Sequence, residues 1–180
     1  WLTDDQVRVG DKLIISGSVG DHGIALLAHR EGYSFETELE SDIAPLNKLI
    51  EAALEVGGVV AMKDPTRGGL ANSLNEWSEK SGVGLIVSEE KIPIQQGVLN
   101  ACDMLGLDPL EIGNEGKVLI GVVPDLAETV LERIREFPEG KNAEIIGEAT
   151  TELKNVLMET SIGGRRVVEP PLGDPIPRIC

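Results

Sequence analysis

Three groups of residues in this chain have the types and spacing to do chemistry. The first is the last residue, Cys180, carried on Glu169-Pro170-Pro171-Leu172-Gly173-Asp174-Pro175-Ile176-Pro177-Arg178-Ile179-Cys180. A thiol at the end of a chain can be handed from one site to another. Four prolines in these twelve residues fix φ and remove backbone donors, so the segment is expected to be extended and unpaired. At about 3.1 Å per residue it reaches roughly 35 Å. Taken alone, the residue is equally compatible with an incidental cysteine on a disordered tail.

The second group is Asp64-Pro65-Thr66-Arg67-Gly68-Gly69. Asp64 is placed to cap a helix with Pro65 at its first position, which puts the amides of Thr66 to Gly69 at the positive end of the helix dipole, where anions are favoured. The hydroxyl of Thr66 and the guanidinium of Arg67 add donors suited to phosphate oxygens. Gly68 and Gly69 permit close approach of either a ligand or another backbone. A tight strand-to-helix turn with no ligand accounts for the same residues, and no Walker motif is present. The third group is Gly113-Asn114-Glu115-Gly116-Lys117. Its flanking glycines let the backbone turn sharply and project the Glu115 carboxylate into a cleft, where desolvation favours a general base. A solvated turn glutamate is the alternative.

Other candidates carry less. Gly17, Gly20 and Gly23 follow a strand at the wrong spacing for a dinucleotide fingerprint. His22 and His29 lie seven apart on one expected helix without further metal ligands, so packing or surface roles suit them better. Cys102, among Val98, Leu99 and Leu105, reads as a small buried apolar residue. The acidic run from Glu36 to Asp42 reads as a solvated face.

These groups must be held by a regular scaffold. Strands are expected at 12–17, 59–62, 83–87, 117–123 and 142–149, and helices at 21–30, 43–56, 64–81, 95–105 and 125–137. A final hairpin pairs 153–158 with 165–168. Helices and strands interleave, the hairpin requires antiparallel pairing, and the fold class is α+β with a mixed sheet and no internal repeat. The 180 residues are 41% hydrophobic, enough for one compact domain plus a tail. Sixteen Lys and Arg against 31 Asp and Glu give a net charge of −15, which disfavours nucleic acid and anionic membrane surfaces. No apolar run approaches the roughly 20 residues of a membrane span. The start Trp1-Leu2-Thr3-Asp4-Asp5 is not a signal peptide and reads as the edge of an excised piece of a longer protein. The two cysteines form no metal or redox spacing, and a reducing cytoplasmic setting is expected.

Asp64-Pro65-Thr66-Arg67-Gly68-Gly69-Leu70-Ala71, Asn114-Glu115-Gly116-Lys117 and Pro177-Arg178-Ile179-Cys180, with Gly17-Ser18-Val19-Gly20-Asp21-His22-Gly23, together resemble the HypE family of hydrogenase maturation proteins. The likeness runs over essentially the whole chain, and the terminal tetrapeptide is its most specific part. It implies the C-terminal domain of a two-domain member of the aminoimidazole ribonucleotide synthetase superfamily, which includes selenophosphate synthetase and thiamine monophosphate kinase. Residues 1–168 would form that domain on a largely antiparallel sheet, and 169–180 a flexible tail. The N-terminal domain, expected to be absent from this chain, supplies much of the ATP and Mg²⁺ site, a catalytic lysine and the main surface of a homodimeric parent.

The resemblance also implies an activity. A HypF-like donor carbamoylates Cys180, ATP-dependent dehydration turns the thiocarboxamide into a thiocyanate, and the cyanide passes to iron on a HypC–HypD-like complex for a nickel–iron hydrogenase. Glu115 would be the base. Asp64, Thr66, Arg67, Gly68 and Gly69 would meet nucleotide, and Asn114, Lys117 and Arg178 would play supporting parts, with no metal site on this chain. Arg178 would lower the Cys180 thiol pKa and the terminal carboxylate would raise it. The isolated fragment is expected to be inactive, with weak or no ATP binding. Two other readings stand beside this one: a docking module, or another ATP-dependent synthetase or kinase of the superfamily acting on a small molecule.

Overall fold

The computed structural model describes residues 2–31, 41–152 and 154–173. Among the described residues seven strands form one sheet: β1 (Lys12–Ile15), β2 (Val59–Lys63), β3 (Gly84–Ser88), β4 (Leu119–Val122), β5 (Glu144–Thr150), β6 (Val156–Glu159) and β7 (Arg165–Val167). Their order is β2-β4-β1-β5-β3-β6-β7. Every pairing is antiparallel except that of β3 with β6, which is parallel. The sheet is therefore mixed and largely antiparallel, as expected. Five α-helices of the described residues accompany it: α1 (Asp21–Glu31), α2 (Asn47–Val56), α3 (Gly69–Ser81), α4 (Gln96–Leu105) and α5 (Ala127–Arg135).

Alternation along β1 divides the core. Leu13 and Ile15 face α3, whose Leu70, Leu74 and Trp77 recur at helical spacing and are fully buried against them, with Leu85, Val87 and Ile146. Ile14 points to the other face, where Leu49 and Ala53 of α2 and Val130, Leu131 and Ile134 of α5 cover it. Burying such side chains contributes about 1.5–3 kcal/mol each. A third cluster, Ile24 of α1 with Val98, Ala101 and Cys102 of α4 and Ile112, braces the loops that carry the site. Cys102 is 1% exposed; burial, then the charges of Asp108 and Asp103, push its thiol up to about 11.

Two boundaries differ from expectation. The helix expected from Ile43 begins at Asn47, leaving Ile43 70% exposed, because Pro45 disfavours α geometry in the residue before it. The helix expected from Asp64 begins at Gly69, behind Gly68 at φ +68° and Gly69 at φ +60°. Two successive left-handed residues break the helical path, so Asp64 is not its cap. The final hairpin forms, with Leu157 opposite Val167 and Glu159 opposite Arg165. No helix among the described residues is long and apolar enough to cross a membrane.

Candidate functional site

Three loops meet at one buried side chain, Asn114, which is 1% exposed. Its Oδ1 accepts from the Gly20 amide at 2.8 Å, and its Nδ2 donates to the carbonyls of Pro65 at 3.2 Å and Ile112 at 3.1 Å. The Asn114 amide also donates to the Pro65 carbonyl, at 3.0 Å, and Gly23 donates to Gly113 at 3.2 Å. An asparagine suits this knot because one planar amide offers an acceptor on one side and two donors on the other. The loop after β1, the turn after β2 and the loop before β4 are thereby fastened together.

The glycines are required by this proximity. A Cβ on Gly113 would lie 2.6 Å from the Thr66 carbonyl oxygen, and one on Gly69 would lie 2.5 Å from those of both Leu110 and Ile112. A Cβ on Gly20, at φ +85°, would meet Val98 at 2.8 Å. At Gly68 and Gly69 the structure shows close approach of protein. Carbonyl oxygens face Gly69, and the ring of Pro171 lies against Gly68, where a Cβ would come within 2.7 Å of its Cγ. Backbone oxygens are a poor lining for an anion. The groups left open to a phosphate are the partly buried Thr66 and exposed Arg67.

Beyond Asn114 the loop passes beneath residues 41–44. A Cβ on Gly116 would overlap the Asp42 carbonyl oxygen at 1.7 Å, and the Glu115 amide donates to Asp42 Oδ1 at 3.2 Å. Asp42 does not lie on the solvated face expected of the acidic run: its side chain is 2% exposed and pairs with Lys117 at 3.3 Å. That Asp42 oxygen lies at ion-pair distance with no hydrogen-bonding partner among the described residues. Residues 36–40 of the same run lie outside the described residues. Lys117 runs along Gly17, where a Cβ would come 3.0 Å from its Cε. His22 Nδ1 meets Ser41 Oγ at 2.9 Å and Asp42 Oδ1 at 3.9 Å, so this histidine braces the 41–42 segment rather than a metal. Ser18 Oγ donates to Asp21, which is 3% exposed. Burial pushes the Asp21 carboxyl above its usual range. Hydrogen bonds from Ser18 and Gln95 and the Lys117 charge oppose this, while Asp42 reinforces it.

The structure thus brings Asn114, Glu115, Lys117, Thr66, Arg67, Gly68 and Gly69 into one neighbourhood. Glu115 is exposed at its rim, so the cleft expected around its carboxylate is not closed by the described residues. Asp64 is exposed beside the turn, and its backbone carbonyl accepts from Ser73 Oγ at 3.5 Å. Cys180 and Arg178 lie outside the described residues. Asp42, Asp21 and Ser18 escaped sequence reasoning because nothing local marks their burial. The placement of Ser18 and Asp21 inside a glycine-spaced turn was the available signal.

Residues 8–158 match the family described as AIR synthase related protein, C-terminal domain. The chain belongs to that family. Over nearly its whole length it is similar to HypE proteins. A putative hydrogenase expression/formation protein of Methanocaldococcus jannaschii is 57% identical over 99% of this chain and 53% of its own length. The carbamoyl dehydratase HypE of Bradyrhizobium diazoefficiens is 46% identical over 99% of this chain and 53% of its own. The crystal structure of a hydrogenase maturation protein HypE superposes with a TM-score of 0.95 at 41% identity, covering 99% of this chain and 58% of that one. HypE structures in complex with ATP and with HypF superpose at 0.92 and 0.91. The chain spans about half the length of the curated relatives it matches.

Proposed function

We propose that this chain is the C-terminal half of an ATP-dependent carbamoyl dehydratase that makes the cyanide ligand for a nickel–iron hydrogenase, with Cys180 as carrier and Glu115 as base. The observation that carries the reading is the knot at Asn114. It gathers the three loop motifs whose residues resemble the HypE family, and the root of the tail that ends in Cys180 lies against Gly68 in the same place. Residues 1–168 form the domain and 169–180 the carrier segment. The likeness to a HypE solved with ATP and to one solved with HypF supports ATP as co-substrate and a HypF-like carbamoyl donor.

The chemistry balances as follows. A carbamoyl group on Cys180 loses its oxygen to inorganic phosphate and two protons from nitrogen. Carbamoyl thioester and ATP become thiocyanate, ADP, phosphate and one proton. Phosphorylation by ATP makes the carboxamide oxygen a leaving group. This chain's part is to present the thiocarboxamide, to take nitrogen-bound protons at the Glu115 carboxylate, and to offer Thr66 and Arg67 to phosphate. Glu115 is suited to the first proton because its backbone is held by Asp42 while its side chain stays free at the rim. Mg²⁺ and most of the nucleotide are assigned to the N-terminal domain that the HypE likeness implies. Exclusion of water, which would hydrolyse the activated intermediate, also needs that domain. The product goes to iron on a HypC–HypD-like complex, and the parent works as a cytoplasmic homodimer.

Intact-mass measurement with the carbamoyl donor is the test. The full-length protein should gain one carbamoyl group and Cys180→Ala none. Glu115→Gln should accept the carbamoyl group and then stall before thiocyanate; formation at the parent rate would return Glu115 to a surface turn.

A further inference from the structure

Asn75 sits in the middle of α3, where asparagine is disfavoured because its amide competes for backbone groups. Here that amide has two acceptors: Nδ2 donates to Ala71 O in its own helix at 2.9 Å and to Val168 O, just past β7, at 3.0 Å. Val168 is itself anchored, 2% exposed and donating to Val156 O at 2.9 Å. Three residues later the Pro171 ring rests on Gly68, where the missing Cβ leaves it room. The chain leaving β7 therefore runs back along α3 from Asn75 to Gly68, about 10 Å of helix. It arrives at the turn whose Pro65 carbonyl is held by Asn114.

We propose that Asn75 and Gly68 form the pivot of the carrier tail: they are positioning residues that start the segment ending in Cys180 beside the Asn114 knot. The proposal rests on the carrier reading and deepens it. With both contacts in place, nine residues follow the last contact at Pro171; without them, twelve follow Val168. The starting point also retreats by about 10 Å at 3.1 Å per residue. Effective concentration falls with the length of the connecting segment and with the distance to be spanned. Together these changes should lower the encounter of the terminal thiol with the knot about two- to threefold.

The test uses this 180-residue chain with a nitroxide on Cys180; the buried Cys102 thiol, pushed up to about 11, stays unlabelled. Paramagnetic relaxation of the Gly69, Gly113 and Asn114 amides should be strong in the parent and weaker in Asn75→Ala, the loss reaching about two- to threefold when Pro171→Gly is added, with the β6 and β7 amide shifts unchanged. Pro171→Gly, which leaves α3 untouched, should weaken it in the same way and serves if Asn75→Ala does not fold. Unchanged relaxation in the folded variants overturns the pivot, as does loss of the β6–β7 pairing in Asn75→Ala, which would make Asn75 a strut of the sheet. The relaxation reports proximity of the spin label and requires no carbamoyl chemistry. A parent chain that shows it but accepts no carbamoyl group keeps the pivot and loses the carrier reading.

Discussion

Replacing Asn114 by alanine removes three side-chain hydrogen bonds at once while leaving the Asn114 amide on the Pro65 carbonyl. The Gly20 amide then has no acceptor in a buried setting, which costs about 1–3 kcal/mol. Loss of the two carbonyl contacts adds on the order of 1 kcal/mol, since Pro65 O keeps its backbone donor. Together Asn114→Ala should lose about 2–4 kcal/mol, a large part of the 5–15 kcal/mol typical of a domain. For this chain length that corresponds to a fall in Tm of about 5–15 °C. Urea denaturation followed by circular dichroism measures the loss, and amide exchange locates it: Gly20 and Gly23 should exchange faster while β1 and β5 keep their protection. Asn114→Asp supplies the control. At neutral pH it can still accept from Gly20 but turns a carboxylate toward the Pro65 and Ile112 carbonyls, so it should be at least as unstable as Asn114→Ala. Protonation restores a donor. Its folded form therefore binds the proton more tightly than the unfolded form, and stability should recover as pH falls. A loss below about 0.5 kcal/mol in Asn114→Ala, or no change in Gly20 exchange, would refute the knot.

Gly69→Ala should cost about 3 kcal/mol or more, since its methyl would press on two carbonyl oxygens at a left-handed φ; chemical denaturation checks this. The Asp21 carboxyl is raised by burial, so the folded state holds its proton at pH values where the unfolded chain has released it. Stability should then fall as pH rises from about 3.8 through the folded value, and Asp21→Asn should lack that slope in melts taken across pH 4–7. Removing one member of the buried Lys117–Asp42 pair leaves the other uncompensated. Lys117→Met should lose about 3–5 kcal/mol, and adding Asp42→Asn should restore part of it in a double-mutant cycle.

Much of the fold could be read along the chain. The alternation in β1 and the spacing of Leu70, Leu74 and Trp77 report periods of two and 3.6 that any core must use. The glycine-rich turns and the final hairpin are equally local signals. Helix starts were less legible: Pro65 looks like a first helical residue until the left-handed pair Gly68 and Gly69 is seen to delay the helix. The use of those glycines was open between a ligand and a backbone, because a missing Cβ shows only that something comes near. The carbonyls of Leu110 and Ile112 are the backbone that comes near Gly69, and they lie some forty residues away.

The sequence by itself determined the α+β class, the family likeness and the residues worth watching: Cys180, Glu115, Asn114, Lys117 and the Asp64 to Gly69 turn. These follow from residue type, period and motif, which are properties of the chain alone. Only the tertiary structure decided that Asn114 is a buried clamp of three loops and that Asp42 is a buried counter-ion rather than a solvated charge. It alone placed Asn75 and Gly68 under the tail. The physical reason is common to all three. Burial and hydrogen-bond partnership depend on which distant segments the sheet order brings together, and an amide that joins residues 20, 65 and 112 has no signature at any single one of them.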